Sequence, residues 1–396
     1  MKKAEFCAII KIGMKIGIFG GSFDPVHREH VRLAQAAIKS LALDRLFIMP
    51  AHTPPHKQGK LLSSDKDRFR MCELAFEGIE RVEISDYELK VGGTSYTYLT
   101  LAHFKQLYPE AELFFLVGTD MLRDFPSWRY PERILETATL AVCARNEEQG
   151  WLETEQATFL KRFSRKFAVI GYNGENVSST RIRVLAAAGE DISAFVEREV
   201  ASYVQEKGLY EIFGAKEALA LEKGERKAHS IRVAFYAAEH AGRFKLDEKK
   251  AVTAALFHDC AKNLPQDSPL LRGFCPPEGV PAPVWHQYAG AYVAKTAFGV
   301  SDEEILEAIS FHTSGKPNMS PLAKLIYLAD MLEEGRTYGE AVILRRVFEE
   351  RGLDEGYFFA LERSLAYLRE KGGEVYRLTE EAAEYEEKTI KNTENK

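Results

Sequence analysis

The pattern of apolar residues changes once along this chain of 396 residues, and that change limits the folds available to it. In the first part, apolar runs alternate with helix-like stretches; the runs lie at 15–19, 45–49, 81–84, 112–117, 138–143 and 167–170. This alternation predicts βα units, and therefore a mostly parallel sheet with helices on both faces. Later apolar residues have only helical spacing, at 228–242, 249–262, 284–298, 301–312, 320–333 and 340–371. The sequence therefore predicts an α/β domain followed by an all-α bundle.

Chain length and polar stretches indicate where the domains divide. A chain of 396 residues with 45% hydrophobic content exceeds what one core usually serves. The segment GAKEALALEKGER is polar and alanine-rich, and the last residues, EEKTIKNTENK, are polar throughout. We predict an N-terminal extension, a first domain, a linker, a second domain and a disordered tail, at 1–13, 14–213, 214–226, 227–385 and 386–396.

Charge and cysteine content narrow the expected partners and compartment. The net charge is −6 and no long basic stretch occurs, so we expect neither nucleic acid nor an anionic membrane as a partner. The apolar N-terminal patch is interrupted by Glu5 and Lys11, which argues against a signal peptide. Five cysteines without a CxxC pair fit a reducing cytoplasm. We therefore expect a cytoplasmic protein that acts on small molecules, and a homodimer is one assembly to test.

Residues 20–30, GGSFDPVHREH, follow directly on the first apolar run, so a strand leads into a glycine turn and then a helix. Gly20 and Gly21 allow a phosphate to approach the backbone, and the helix N-terminus offers free N–H groups and a positive dipole end. His27 and His30 are spaced to share one helix face. The segment predicts a triphosphate site, while the alternative is an ordinary turn with two structural histidines. Walker A and GxGxxG patterns are absent from the sequence, which argues against GTPase and dinucleotide-redox functions.

The same segment resembles the nucleotidylyltransferase signature GxFDPxHxGH. Four further matches in order make residues 14–212 similar to the bacterial nicotinate-nucleotide adenylyltransferases: PPHK at 54–57, SYT at 95–97, GTD at 118–120 with Trp128, and VSSTRIR at 177–183. The resemblance implies a Rossmann-like nucleotidylyltransferase fold. It also implies adenylyl transfer from ATP, held with Mg²⁺, to nicotinate mononucleotide, giving deamido-NAD and pyrophosphate by direct in-line displacement.

The resemblance further implies roles for individual residues. His27 and His30 contact the α- and β-phosphates, while Lys57 and Arg181 neutralise the pyrophosphate that Ser178 and Ser179 anchor. The implied nucleotide-binding set is Gly20, Gly21, Ser22, Phe23, Tyr96, Thr97, Asp120, Trp128, Ser178, Ser179, Thr180 and Arg181. Within it, Asp120 and Trp128 bind the mononucleotide, Trp128 by stacking on the pyridine ring.

Two residues depart from the pattern of these enzymes. Glu29 stands where glycine is usual between the histidines, and its carboxylate would cost phosphate affinity unless it points away from the site. Leu99 replaces the aspartate that usually follows the SYT segment. These departures leave open a different nucleotidyl acceptor.

The helical half carries a second set of candidate ligands, one to each predicted helix or helix end, with the pair His258–Asp259 at its centre. The set is His229, His258, Asp259, His286, His312 and Asp330. A helix bundle can project ligands from several helices into one core. Imidazole and carboxylate without thiolate suit Fe, Mn, Co, Ni or Zn. The alternative is a metal-free core of structural histidines.

Residues 226–375 resemble the HD-domain phosphohydrolases, and more closely the bacterial symmetrical bis(5′-nucleosyl)-tetraphosphatases. The matching segments are AHS at 228–230, LFHDCAK at 256–262, FHTSG at 311–315 and LADMLEEGR at 328–336. The resemblance implies that the six candidate ligands hold two divalent metal ions, with Fe or Mn expected, and that Asp259 bridges them. WHQYAG follows the expected pattern around His286 only loosely.

The same resemblance implies a reaction, in which a metal-bound hydroxide cleaves diadenosine tetraphosphate into two molecules of ADP. Lys262 would stabilise the developing charge, and Thr313 and Arg336 would hold the nucleotide. Two alternatives stay open for this half of the chain: a regulatory module that binds an adenine nucleotide without turnover, and a nucleotide monophosphatase.

Overall fold

The computed structural model describes residues 13–54, 62–145, 149–175 and 177–394. Within these ranges the chain forms two compact units, the first with described residues of 13–54, 62–179 and 192–207 and the second with those of 180–191 and 208–394. The sequence assigned 180–191 to the first domain, but their contacts group them with the second unit. Within the described ranges, no helix is both long enough and apolar enough to cross a membrane.

The first unit contains a six-stranded sheet. The strands are β1 (Lys15–Gly21), β2 (Arg45–Pro50), β3 (Val82–Ile84), β4 (Glu112–Gly118), β5 (Thr139–Arg145) and β6 (Ala168–Tyr172). The helices between and after them are α1 (Arg28–Leu41), α2 (Asp65–Ala75), α3 (Tyr87–Val91), α4 (Thr97–Leu107), α5 (Thr119–Asp124), α6 (Pro131–Thr137), α7 (Gln149–Phe163), α8 (Ser179–Ala187) and α9 (Arg198–Lys207). A 3₁₀ turn lies at Phe125–Ser127.

All strands of this sheet are parallel, in the order β3-β2-β1-β4-β5-β6. The central strands are buried on both faces, as their continuous apolar runs require. The order reverses between β1 and β4, and ligands of open α/β sheets bind at the carboxyl ends of the strands beside such a reversal. Gly20, Gly21 and Gly118 end these two strands. The expected Rossmann-like fold is confirmed.

The second unit is helical. After α8, whose residues from Thr180 onward belong to it, come α10 (Ala215–Ala220), α11 (Arg226–Ala241), α12 (Glu248–Phe257), α13 (Trp285–Thr296), α14 (Glu303–Phe311), α15 (Pro321–Leu332), α16 (Gly339–Arg351), α17 (Leu353–Glu370) and α18 (Arg377–Glu394). Single 3₁₀ turns lie at Gly242–Phe244, Pro269–Leu271 and Ala282–Val284. One apolar core, rich in alanine and leucine, joins these helices. The expected all-α bundle is confirmed.

The structure adds local detail to three expectations. The apolar stretch 340–371 forms two helices, because Gly352 has a φ of 92° and a helix cannot pass through that conformation. The predicted linker contains α10, in which Ala215, Ala218 and Leu219 are buried in the core. The segment 386–394, expected to be disordered, continues α18, in which Glu386 is buried and bound by Lys324.

Candidate active sites

The two histidines of the glycine-turn motif meet at the N-terminus of α1, although only one lies within the helix. His27 is the N-cap residue, in extended conformation, and His30 lies in the first turn. Their rings stack with centroids 3.7 Å apart. The backbone N–H of His27 donates to Nδ1 of His30 at 3.1 Å. Since that nitrogen accepts, Nε2 of His30 carries the proton and can donate to a phosphate oxygen.

Burial sets the charge of the first histidine. It lowers the pKa of His27 to about 4, so its imidazole is neutral at neutral pH. A neutral imidazole binds phosphate by donating a hydrogen bond rather than through a positive charge. The positive potential at this position therefore comes from the dipole of α1 and from cations elsewhere.

Phe23 supports the histidines from within the core. Its ring is buried and packs edge-on against His30, with centroids 5.0 Å apart. A Cβ at Gly21 would lie 3.1 Å from the same ring, so a glycine here permits close packing. The predicted nucleotide contacts of Gly21 and Phe23 stay predictions.

A cavity of about 440 Å³ opens beside this loop. It is lined by Gly20, Gly21, Tyr96, Thr97 and Trp128, five of the residues predicted to bind nucleotide. The volume is within the range of small-molecule sites in proteins. The indole of Trp128 packs against Phe115 and Phe125 of the apolar core.

Asp120 behaves differently from its predicted partner Trp128. Its Oδ1 lies over Gly118, 2.6 Å from the place a Cβ would occupy there. Within the parts of the chain the structure describes, it is outside the cavity lining. The predicted contact of Asp120 with the mononucleotide stays a prediction.

The cavity lining includes two charged side chains that sequence reasoning missed. The Arg129 guanidinium lies over the ring of Tyr96, 4.8 Å from its centroid. Glu88 is buried, accepts a hydrogen bond from the Thr100 hydroxyl at 2.6 Å, and has its pKa raised by burial. The sequence signal for Arg129 was its position directly after Trp128; Glu88 had no signal, because α3 brings it in from elsewhere in the chain.

Arg68 was also missed, and it connects three loops around the site. Its side chain is fully buried, and its guanidinium donates to the backbone carbonyls of Ser22, Ser63 and, at 3.4 Å, His52. Asp65 on the same helix accepts a further hydrogen bond from Arg68 and contacts His52. Ser22 therefore contributes its carbonyl to loop structure. Lys57, the predicted pyrophosphate contact between these loops, lies outside the described residues, as do Pro55 and His56.

The VSSTRIR segment is divided between the two units. In the first unit, the Ser179 hydroxyl donates to the carbonyl of Pro25 in the glycine-turn loop at 2.9 Å. Thr180 and Arg181 belong to the second unit. There Arg183 donates to the Thr180 hydroxyl, and Arg181 pairs with Glu239 at 3.1 Å and Glu334 at 2.5 Å. The predicted phosphate contacts of Ser178, Ser179, Thr180 and Arg181 stay predictions.

The second unit brings all six predicted metal ligands together. Their potential ligand atoms form two groups, and within each group the atoms lie within 4.8 Å of one another. One group is formed by His229, His258 and Asp330, and the other by His258, Asp259 and His312. His286 adjoins the second group, because its Nε2 lies 3.1 Å from Nε2 of His312. The helices end or begin at these residues: α12 stops just before His258, α14 just before His312, and α13 starts just before His286.

The four histidines are oriented alike. Nδ1 lies within hydrogen-bond distance of a backbone carbonyl in His258, His286 and His312, and of the Glu333 carboxylate in His229. These contacts leave each Nε2 directed toward the carboxylates of the cluster. Metal-binding histidines usually have this arrangement, since an acceptor at one nitrogen fixes the tautomer that exposes the other.

Two buried atoms of the cluster lack hydrogen-bond partners among the described residues: Nε2 of His258 and Oδ1 of Asp259. An unpaired buried polar atom costs about 1–3 kcal/mol, so such a pair indicates a missing ligand. Oδ1 of Asp259 faces His286 and His312 at 3.3 and 3.4 Å, whereas Oδ2 faces His258 at 3.7 Å. The residues fit a metal centre in which this carboxylate bridges two positions.

The pKa shifts within the cluster are also those expected of a metal centre. Burial lowers the pKa of His258 to about 4, which keeps its Nε2 free to bind a metal. Burial opposes ionisation of Asp259, but His258 and His312 hold its pKa far below the ordinary value. For His229, burial lowers the pKa, but the stronger combined effect of Asp330 and Glu333 raises it to about 9. A metal must therefore displace a proton from His229.

The remaining predicted residues lie around the cluster. Nζ of Lys262 is 2.7 Å from Nε2 of His286 and 3.5 Å from Asp259. The Thr313 hydroxyl is 3.1 Å from the same His286 nitrogen. Arg336 pairs with Asp330 at 3.2 Å. All three lie beside candidate metal ligands, and their predicted contacts with a phosphate or nucleotide stay predictions.

Two family models match separate parts of the chain: cytidylyltransferase-like at residues 18–185, and HD domain at 226–335. A probable nicotinate-nucleotide adenylyltransferase/Ap4A hydrolase of Mycoplasma genitalium is 31% identical over 327 residues, covering 81% of this chain and 88% of that protein. The chain belongs to this adenylyltransferase/Ap4A hydrolase family. The Mycoplasma pneumoniae protein of the same name is 32% identical over 330 residues, covering 82% of this chain and 90% of that protein.

A second kind of relative covers only the first half. A probable nicotinate-nucleotide adenylyltransferase of Clostridium tetani is 34% identical over 197 residues, which is 50% of this chain and 98% of that protein. Both resemblances stated from the sequence motifs are therefore confirmed.

Two further side chains contact the HD cluster that the sequence did not single out as site residues. Arg226, one helical turn before His229, donates to Oδ2 of Asp259 at 2.5 Å. Glu333, buried, accepts from Arg232 and from the Gly335 backbone while it contacts Nδ1 of His229. Glu333 is visible in the sequence only as part of LADMLEEGR, and its role depends on the packing of α11 against α15.

Proposed function

We propose that this chain is a bifunctional enzyme. Its first unit transfers an adenylyl group from ATP, held with Mg²⁺, to nicotinate mononucleotide, giving deamido-NAD and pyrophosphate. Its second unit hydrolyses diadenosine tetraphosphate symmetrically to two molecules of ADP. The observation that carries the proposal is the presence, in one chain of this family, of a helix that starts at paired histidines beside a cavity and of a cluster of six potential metal ligands.

In the transfer reaction, a phosphate oxygen of the mononucleotide attacks the α-phosphorus of ATP as the bond to pyrophosphate breaks. His27 and His30 donate hydrogen bonds to the phosphate oxygens, on which negative charge accumulates. The cavity beside them takes the mononucleotide, with Trp128 against its pyridine ring and the Arg129 guanidinium near its carboxylate or phosphate. The enzyme contributes position and charge and forms no covalent bond with the substrate.

In the hydrolytic reaction, the phosphate chain lies across the cluster. Bound metal ions would lower the pKa of a water and polarise the phosphoanhydride. His229, His258 and Asp330 would hold one ion and His286 and His312 the other, with Asp259 between them. Lys262 and Arg336 lie where they can neutralise phosphate oxygens, and the Thr313 hydroxyl can donate to one.

Product analysis tests both halves. The metal-replete protein is incubated in parallel with ATP plus nicotinate mononucleotide and with diadenosine tetraphosphate. We expect deamido-NAD with pyrophosphate in the first reaction and ADP alone in the second. His30→Ala should abolish transfer and spare hydrolysis, while Asp259→Asn should do the reverse.

Each of the other outcomes would favour a different function. Deamido-NAD without ADP would favour a nucleotide-binding regulatory module in the second unit, and release of nucleoside and phosphate from nucleoside monophosphates, without ADP from diadenosine tetraphosphate, would favour a monophosphatase. ADP without deamido-NAD would favour another nucleotidyl acceptor. Loss of both activities in one folded variant would contradict two independent sites.

The metals, the location and the assembly are part of the same proposal. We expect Fe or Mn at about two equivalents per chain, a cytoplasmic location and a homodimer, with small nucleotides as the partners. Elemental analysis of protein purified without added metal, and light scattering in solution, test the metals and the assembly.

A further inference from the structure

The carboxylate of Glu29 is enclosed between α1 and the segment that follows β6. Only 6% of its side chain is exposed. Its Oε1 accepts from Nη1 of Arg32, one turn along the helix, at 2.6 Å. Its Oε2 is buried. The charge that was expected to oppose phosphates is therefore paired within α1 and lies inside the protein.

The Glu29 carboxylate also packs against a glycine, Gly174. A Cβ at Gly174 would lie 2.4 Å from Oε2 of Glu29 and 2.3 Å from the ring of Tyr172. Gly174 is not in the left-handed region, so its backbone conformation does not itself require glycine. Steric space requires it, because Glu29 and Tyr172 fill the volume a side chain would need.

The same segment is held at two further points. Arg32, which binds Glu29, also donates to Glu175 at 3.2 Å. The Ser179 hydroxyl donates to the carbonyl of Pro25, just before α1. Gly174 and Glu175 thus contact α1, and Ser179 is attached to the glycine-turn loop. Ser178, a predicted pyrophosphate anchor, lies between these attachments.

We propose that Glu29 is a positioning residue for ATP: it holds Gly174 and Glu175 against α1, so that Ser178 faces the outer phosphates beside His27 and His30. The inference rests on the proposed adenylyl transfer and adds a role for a residue at which the motif has glycine. A segment ordered in advance does not have to lose conformational freedom when ATP binds. Arg32 contributes by neutralising the carboxylate and by holding Glu175.

The test compares Glu29→Ala, Glu29→Gln and Arg32→Gln with Lys39→Gln, a charge removal in the last turn of the same helix. We expect Glu29→Ala to raise KM for ATP about tenfold with kcat within about twofold, because uniform binding is lost. KM for nicotinate mononucleotide should be unchanged. Glu29→Gln keeps the volume against Gly174 and should have a smaller effect, and Lys39→Gln should have none.

Gly174→Ala tests the contact between Glu29 and Gly174 by changing the glycine instead of the glutamate. It should also raise KM for ATP, because the added methyl displaces Glu29 or Tyr172. Combined with Glu29→Ala, the two effects should be less than additive, since both changes disrupt one contact. Additive effects would contradict the coupling.

The kinetic pattern decides the proposal. An unchanged or lowered KM for ATP in Glu29→Ala overturns it, and a lowered KM would mean that the carboxylate repels the phosphates. An equal rise in both KM values with a fall in Tm would mean a purely structural role. If the wild type forms no deamido-NAD, calorimetric titration with ATP compares the ATP affinity of the variants with that of the wild type. Failure of the proposed activity can therefore be distinguished from failure of this inference.

Discussion

Replacement of Arg68 by methionine should destabilise the first unit and abolish adenylyl transfer. The guanidinium is fully buried and donates to the carbonyls of Ser22 at 2.9 Å and Ser63 at 3.1 Å. Hydrogen bonds to a charged group contribute about 1.5–3 kcal/mol each, so the loss of these two bonds costs about 4 kcal/mol. For a unit of this size, that loss lowers Tm by about 10 °C.

The assay is differential scanning calorimetry with both enzymatic activities measured on the same preparations. Arg70→Met is the matched control, since Arg70 lies on the same helix, is half exposed and pairs with Glu73 at the surface; such pairs contribute about 0–1 kcal/mol. Arg68→Lys keeps the charge, but one ammonium cannot reach three loops, so we expect an intermediate loss. Hydrolysis of diadenosine tetraphosphate should survive in all variants at 25 °C. A fall in Tm below about 3 °C for Arg68→Met, or no difference from Arg70→Met, would refute the reasoning.

Three further predictions concern single side chains. Burial raises the pKa of Glu222 to about 8, above its value in the unfolded chain, so the folded state binds more protons between about pH 5 and 8 and stability falls across that window as pH rises. The slope is at most about 1.4 kcal/mol per pH unit, and Glu222→Gln should flatten it in calorimetric scans of chelated protein. Arg129→Met should raise KM for nicotinate mononucleotide about tenfold and leave KM for ATP unchanged; the opposite split in steady-state kinetics would assign Arg129 to ATP. Glu333→Gln should weaken metal affinity about 10- to 100-fold in competition with a chelating dye, because Nδ1 of His229 loses its carboxylate partner; unchanged affinity would exclude an orienting role.

The placement of His27 and His30 could be predicted from the sequence because it is local. A strand, a glycine turn and a helix start follow one another along the chain, and a spacing of three brings the two rings together. The candidate ligands of the HD cluster could also be picked out from the sequence, since all of them except His286 stand in a clear short motif. Their common orientation was not, because it depends on which carbonyls the helix ends present to Nδ1.

Residues that act through distant partners gave no usable signal. Nothing in the sequence distinguishes Arg68 from other helical arginines, because its role in connecting loops depends on the carbonyls of Ser22 and Ser63. Glu88 reaches the cavity only because α3 packs beside it. Arg181 was assigned to the pyrophosphate by its motif, whereas its guanidinium pairs with Glu239 and Glu334 in the second unit.

The sequence by itself determined the two-part architecture, the parallel sheet and the residue types at both sites, because apolar periodicity and short motifs are properties of neighbouring residues. Tertiary structure alone decided the direction of each side chain. Glu29 shows the difference: its position between two histidines predicted to bind phosphate suggested repulsion, yet a glycine far along the chain leaves room for its carboxylate inside the protein. The effect of a side chain's charge and volume depends on the residues that folding packs against it, and those residues are distant in the sequence.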